Sequence, residues 1–253
     1  MSEEWDVYPC RFDEDPATIM LDMGIAHEIP IAGLEHSLRV RVPIAAPTED
    51  GLPTPEESPA LDAIEEAMAP SEDAASNCRY LGRVTCAGAR DFFFQVDSPE
   101  TAIPILETRL AAFPNYRAEF ATRHDPEWAA YRELLYPTPR EYQLMGNQRV
   151  LAQLAEHGDD HSVPREVTHW IGFQNADDRD AFADTAQQDG FRLVATSDDD
   201  DQHDLPFGLT IGRDQPVTPD VIDAVVLELF DRAEAAGGDY DGWETSVATS
   251  PAD

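Results

Sequence analysis

Lysine is absent from this chain: all 17 basic residues are arginine, against 51 Asp and Glu, and the formal net charge is −34. Such an excess of carboxylates repels phosphate groups at long range, and counterion release does not favour association. The charge therefore argues against general binding to nucleic acids or anionic membranes and favours a basic protein partner. Because the acids are spread over both halves of the chain, adaptation of the whole protein to a salty cytoplasm is the favoured explanation of the acidity itself.

Cysteine is scarce, and long apolar runs are missing. Cys10, Cys78 and Cys86 are odd in number and form no C-x-x-C pair, which argues against a disulfide framework and against a structural zinc site. No stretch of about 18 apolar residues is present, and residues 1–5 lack the basic start and apolar run of a secretory signal. We therefore expect a soluble protein of the cytoplasm.

The first half has the pattern of an α+β domain. Residues 36–44 alternate, with Leu38, Val40 and Val42 on one side, which predicts a half-buried strand. The other predicted elements are an added hairpin within 4–23, a helix capped by Thr54 with Glu57 completing a capping box, a hairpin of strands 79–86 and 91–96, a helix from Ser98 that Pro104 kinks or delays, and a strand over 116–122.

The second half repeats the same order of elements. Its final helix is the clearest, because Thr218 caps it and a wide apolar stripe follows up to Gly237. The other predicted elements are a helix from the Thr138 cap to Gly158, a strand over 167–173, a helix from Asn175 to Gly190, strands over 191–196 and 207–213, and a last strand over 244–247.

Both halves thus predict an α+β fold made of two ferredoxin-like (βαββαβ) sandwiches in tandem. A short helix within 125–137 should join them, which places the first domain at 1–137 and the second at 138–253.

The candidate catalytic and metal-binding residues are better explained as structural or solvent-exposed residues. His169 shares a predicted strand face with Val167 and Ile171, which favours a core histidine over a catalytic base. The segment His157–His161 holds enough donors for a metal, but the chain turns there at Gly158, and the Asp-rich loop after Ser197 lacks the ligand spacing of a calcium site. We therefore expect that the protein binds no metal and no cofactor. The sequence also shows no enzyme signature.

Arginines in the first half form the largest basic grouping of the chain. They are predicted on the outward faces of strands, where they could bind a carboxylate or phosphate group. The favoured explanation is that they form ion pairs across strands with acids such as Glu119. They are Arg39, Arg41, Arg83, Arg117 and Arg123.

Motifs in the second half, from about Arg140 to Thr245, resemble the family that regulates ribonuclease E activity (regulator B). The residues that carry the resemblance, which we expect to be structural, are Arg165, His169, Trp170, Phe173, Gly190, Gly238 and Gly242. The resemblance implies an acidic ferredoxin-like protein that binds ribonuclease E and inhibits it.

The first half resembles the uncharacterised family numbered 695, which implies no function. This resemblance rests on Trp5 and Tyr8, on Gly82-Arg83, on the aromatic run Phe92–Phe94 and on Asp125-Pro-Glu-Trp128.

The leading functional hypothesis is a non-catalytic module that modulates an RNA-processing enzyme, such as ribonuclease E, by protein contact. The alternatives are a hydrolase-type enzyme with a site between the two domains and a self-associating interaction domain. The residues predicted to touch the partner are Asp198, Asp199, Asp200, Asp201, Asp204, Tyr240, Asp241 and Trp243.

Overall fold

The computed structural model describes residues 4–69, 77–198 and 205–249. Contacts divide the chain into two compact units, Met1–Pro137 and Thr138–Asp253. Each unit combines helices with one antiparallel sheet, of six strands in the first unit and four in the second. The predicted α+β class is therefore confirmed.

The first unit begins with the predicted hairpin. Its sheet has the strand order β1-β2-β4-β5-β3-β6. The elements are β1 (Trp5–Phe12), β2 (Asp15–Asp22), β3 (His36–Pro43), α1 (Ser58–Met68), β4 (Cys78–Cys86), β5 (Ala89–Val96), α2 (Pro99–Leu110) and β6 (Glu119–His124).

Alternation in β3 places Leu38, Val40 and Val42 in the core under α1 and α2, where all three are fully buried. Burial of this apolar face supplies the main driving force for folding of this part of the unit. Phe92 and Phe94 of β5 enter the same cluster.

Two element boundaries in this unit differ from the sequence prediction. Helix α1 begins at Ser58, because the Glu57 carboxylate accepts hydrogen bonds from the backbone N–H groups of Ala45 and Ala46, at 2.6 and 2.9 Å, and so does not complete a capping box. Strand β6 begins at Glu119 instead of Tyr116, since the Tyr116 N–H closes a turn onto the Phe113 carbonyl.

The segment before Pro137 is an integral part of the first unit. The Asp125 carboxylate accepts the N–H groups of Ala129 and Ala130, at 2.8 and 3.0 Å, and starts a π-helical turn over Ala130–Leu135. Trp128 is fully buried, and the Tyr131 hydroxyl donates to the Asp22 carbonyl at 2.8 Å. The predicted short helix is thus one turn packed against β2 and β4.

The second unit places its helices on one face of a sheet with the order β10-β7-β9-β8. Thr138 and Glu141 form the predicted capping box at its first helix. The elements are α3 (Pro139–Glu156), β7 (Arg165–Phe173), α4 (Ala176–Gln188), β8 (Arg192–Asp198), β9 (Phe207–Gln215), α5 (Pro219–Ala235) and β10 (Gly238–Thr245).

The stripe of α5 fills the core of this unit, and the strands alternate beneath it. In β7, Val167, His169 and Ile171 are buried, whereas Trp170 on the opposite face is half-buried. Strand β10 begins at Gly238, earlier than predicted. The sequence pattern did not show its first part, because a β-bulge next to Gly242 interrupts the alternation.

Strand β8 is an edge strand, and all of its residues are exposed. Leu193 and Val194 are 48% and 49% exposed, and a bulge shifts the register between Leu193 and Ala195. In residues 4–69, 77–198 and 205–249, no helix is long and apolar enough to cross a membrane.

Candidate functional site

A buried pair, His169 and Tyr240, occupies the centre of the second unit. His169 is fully buried, and its Nδ1 lies 2.8 Å from the Tyr240 hydroxyl. Burial, together with the nearby Arg213 charge, lowers the pKa of His169 to about 3. Burial also raises the pKa of Tyr240. The imidazole is therefore neutral at physiological pH and belongs to the core.

Substitution of His169 should change how stability depends on pH. Below pH 6.5 the unfolded chain binds a proton at this residue and the folded chain does not, so the free energy of unfolding falls by about 1.4 kcal/mol per pH unit until the folded pKa is reached. The His169→Gln variant should lack this loss. Between pH 6.5 and 5 we expect its stability to fall by about 2 kcal/mol less than that of the natural chain.

Urea denaturation followed by circular dichroism, at several pH values between 7 and 5, measures this difference. Titration of the many carboxylates is common to both proteins and cancels in the comparison. Parallel stability profiles for the two proteins would contradict a buried neutral imidazole.

Trp243 also belongs to the core. It is 8% exposed, and its indole Nε1 donates to the Asn147 Oδ1 of α3 at 2.7 Å. The Asn147 amide in turn donates to Asp223 of α5 at 2.8 Å. The side chains of Trp243 and Tyr240, which the sequence suggested as partner contacts, therefore do not reach the surface, because both fill the space between β10 and the helices.

The remaining motif residues hold turns and packing in place. Arg165 is 9% exposed and donates to the Asp159 carboxylate at 2.8 Å, while that carboxylate also accepts the Ala248 N–H. Phe173 is fully buried against Phe182. Among the motif glycines, Gly190 has a φ of +89°, Gly242 a φ of +144°, and a Cβ on Gly238 would lie 2.6 Å from the Gly172 carbonyl oxygen.

Of the Asp-rich loop, the described residues include Asp198. Asp198 is exposed at the end of β8 and accepts a hydrogen bond from Arg179 at 2.5 Å. The other predicted contact residues of this loop, Asp199, Asp200, Asp201 and Asp204, lie outside the described residues.

A trough of about 270 Å³ crosses the face of the second sheet opposite the helices. We call it the sheet-face trough. Gly172 of β7 and Gly208 of β9 are directly opposed and form its floor. Trp170 and Thr210, the next opposed pair on the same face, form one wall, and Leu205 forms the other.

Two carboxylates lie at one end of the sheet-face trough. Asp239 is paired directly with Gly172, and Asp241 sits at the bulge of β10 next to Trp170. Both residues are exposed, and neither forms an ion pair within residues 4–69, 77–198 and 205–249. The trough thus combines an accessible indole, a narrow floor and unneutralised negative charge.

Sequence reasoning named Asp241 and Trp170 but not the trough. Trp170 was expected to be structural, yet it is half-buried on the open face of the sheet. A signal was present in the sequence, because Gly172 is two residues after Trp170 and Gly208 is two residues before Thr210, so both strands carry a glycine on the same face as these side chains.

The arginines of the first unit are mostly engaged with acids. Arg41 donates to Asp91 at 2.9 Å, and Arg39 lies 3.7 Å from the same carboxylate. Arg123 lies 3.5 Å from Asp125, and Arg117 is exposed. Arg83 differs from its predicted outward position: it bonds to Asp62 and Glu65 of α1, on the helix side of the sheet.

Metal-binding residues are not brought together in the described part of the chain, which contains no group of three His, Cys, Asp or Glu side chains able to hold an ion. His157 is exposed, with its Nδ1 2.7 Å from the Gln153 carbonyl, while Asp159 is engaged by Arg165.

Comparison with known families confirms both resemblances. No curated protein matches the chain. Residues 145–245 match the family model described as Regulator of ribonuclease activity B. Residues 3–136, more than half of the chain, match the model of a Family of unknown function (DUF695). The chain therefore belongs to the DUF695 family and carries a domain similar to regulator of ribonuclease activity B in its second half.

Proposed function

We propose that this protein is a cytoplasmic regulator that binds a ribonuclease, with ribonuclease E as the first candidate, and inhibits it by contact without chemistry of its own. The observation that carries the proposal is the match of residues 145–245 to Regulator of ribonuclease activity B. The titratable groups of its core fit this role, because burial lowers the pKa of His169 and raises the pKa of Tyr240, so neither exchanges protons near neutral pH.

Strand order supports a ferredoxin-like topology in both units as part of this proposal. In the second unit, the four strands of the βαββαβ order are β7, β8, β9 and β10. Strand β10 lies beside β7, and β9 lies between β7 and β8, as in a ferredoxin-like sheet. In the first unit, β3, β4, β5 and β6 have the same arrangement, and the β1-β2 hairpin extends the sheet beyond β4.

The domain limits are part of the same proposal. We infer that residues 1–137 and 138–253 are separate domains, and that the second contains the regulatory surface. The contact division after Pro137 and the capping box that starts α3 at Thr138 support this limit.

Electrostatics supports a basic or mixed-charge partner surface. The second half contributes exposed carboxylates on both edge strands, including Asp198 on β8 and Asp239 and Asp241 on β10. A chain of net charge −34 would repel RNA. We therefore expect it to inhibit by binding the ribonuclease and not the RNA substrate.

An RNA-cleavage assay tests this function. The full chain, added to ribonuclease E from the same cells, should slow cleavage of a labelled RNA in a saturable manner and should elute with the enzyme in gel filtration. The effect should weaken as salt rises, because the opposed charges are screened.

The control is an unrelated protein of similar size and negative charge. Cleavage that stays unchanged at saturating protein, with no complex in gel filtration, would contradict the proposal. Equal inhibition by the control protein would also contradict it, because inhibition would then follow from charge alone.

A further inference from the structure

We propose that the sheet-face trough of the second unit receives an arginine side chain from the protein partner. The identity of that partner rests on the proposed function, but the trough itself is defined by residues whose contacts are independent of it.

The shape of the trough follows from cross-strand register. Gly172 and Gly208 are opposed on neighbouring central strands, so no side chain rises from the sheet between them. A Cβ on Gly208 would lie 2.3 Å from the Ser197 hydroxyl oxygen, and one on Gly172 would lie 3.0 Å from the Leu205 Cβ. The Ser197 and Leu205 side chains therefore lie directly over the two glycines, which have no side chains of their own to displace them. The open part of the trough is bounded by these two side chains, by Trp170 and by the carboxylates of β10.

The size of the trough points to a single side chain. Its volume of about 270 Å³ is at the lower limit of small-molecule sites, which span about 300–1,000 Å³. Its walls are the Trp170 indole and the Leu205 side chain, so the stem of the occupant would contact apolar groups. A long, unbranched side chain with a polar end matches this combination.

The charge at the end of the trough selects a cation. Asp239 and Asp241 are on the same edge strand, and Asp239 is next to the glycine floor. Neither is neutralised by an ion pair within the described residues. An anionic occupant such as a phosphate would meet repulsion from both carboxylates and from the net charge of the chain.

Arginine fits this site better than lysine does. Its planar guanidinium stacks on an indole face and can bind two carboxylate oxygens at once, whereas an ammonium is a compact and strongly hydrated point charge. Trp170 offers the aromatic face, and the two carboxylates offer the acceptors. Arginine is also among the residue types that contribute most to binding at protein interfaces.

The test uses a blocked tripeptide, acetyl-Ala-Arg-Ala-amide, titrated into the full chain at 150 mM NaCl. Nitrogen-proton NMR follows the indole N–H groups of the four tryptophans, with Trp170 assigned from the Trp170→Phe variant. We expect a saturable shift of the Trp170 signal. The signals of Trp5, in the first unit, and of the buried Trp128 should stay unchanged.

Two comparisons separate the trough from general attraction to an acidic protein. The citrulline tripeptide, which has nearly the same shape without the charge, should bind the natural chain at least about tenfold more weakly than the Arg peptide does. The Asp239→Asn/Asp241→Asn variant should bind the Arg peptide at least about tenfold more weakly than the natural chain does. The charge-matched control is Asp177→Asn/Asp184→Asn, which also removes two exposed charges, from α4 on the helix side, and should leave binding unchanged. An unchanged Trp243 signal verifies that each variant keeps its core.

Several results would overturn the inference. These are a Trp170 signal that does not move, equal shifts of Trp5 and Trp170, or equal losses of binding for the Asp177/Asp184 and Asp239/Asp241 double variants. Because no ribonuclease is present in this titration, its result is independent of the cleavage assay. Peptide binding without inhibition of the ribonuclease would reject the proposed function and leave the arginine site standing.

Discussion

Replacing Trp243 by alanine should lower the free energy of unfolding by about 3–5 kcal/mol. The indole is 8% exposed and lies between β10 and the helices, so its removal leaves a cavity that the packed surroundings can only partly close. The substitution also leaves the Asn147 oxygen, which is buried, without its indole donor. Urea denaturation of the full chain, followed by circular dichroism, measures the loss.

The Trp243→Phe variant separates the two contributions. It keeps most of the apolar volume and loses the hydrogen bond to Asn147, so we expect a smaller loss of about 1–2 kcal/mol. Trp5→Ala serves as the exposed comparison, because Trp5 is 40% exposed in β1. A loss below about 1 kcal/mol for Trp243→Ala would show that the indole is not part of the core.

Replacing Arg79 by leucine should destabilise the first unit by a similar amount, about 3–5 kcal/mol. Arg79 forms an ion pair with Asp22, whose side chain is fully buried and whose other oxygen accepts the Gly24 N–H at 3.0 Å. Without the guanidinium, the carboxylate remains buried with a much weaker compensating interaction. Thermal unfolding of the full chain by calorimetry gives the size of the effect.

A second substitution tests this explanation. In the Asp22→Asn/Arg79→Leu double variant the amide can still accept the Gly24 N–H but carries no charge, so part of the lost stability should return. Arg192→Leu is the exposed control: Arg192 and its partners Glu166 and Asp214 are all more than half exposed, and we expect a loss below about 1 kcal/mol. A double variant as unstable as Arg79→Leu would contradict the buried-charge explanation.

Local patterns predicted most of the elements. Alternation identified β3, and caps with apolar stripes identified α3 and α5, because these signals lie within a few neighbouring residues. Errors occurred where a distant contact decides the local structure. Glu57 reads as a capping residue, but its carboxylate binds the backbone at Ala45 and Ala46, which no local pattern shows.

Strand β10 shows a second limit of sequence reasoning. Tyr240 and Trp243 both face the core although they are three residues apart, which period-two alternation does not allow. The bulge next to Gly242 supplies the extra residue, and bulges depend on pairing with a partner strand. The sheet-face trough escaped prediction for the same reason, since Gly172 and Gly208 become neighbours only through the register of β7 and β9.

The exposed edge strand β8 has a consequence for the behaviour of the concentrated protein. A flat edge carrying Leu193 and Val194 would be a template on which other molecules could stack and aggregate. The irregularity between Leu193 and Ala195 breaks the row of backbone donors and acceptors that such stacking needs. The bulge beside these exposed side chains should therefore keep neighbouring copies from growing into a fibre.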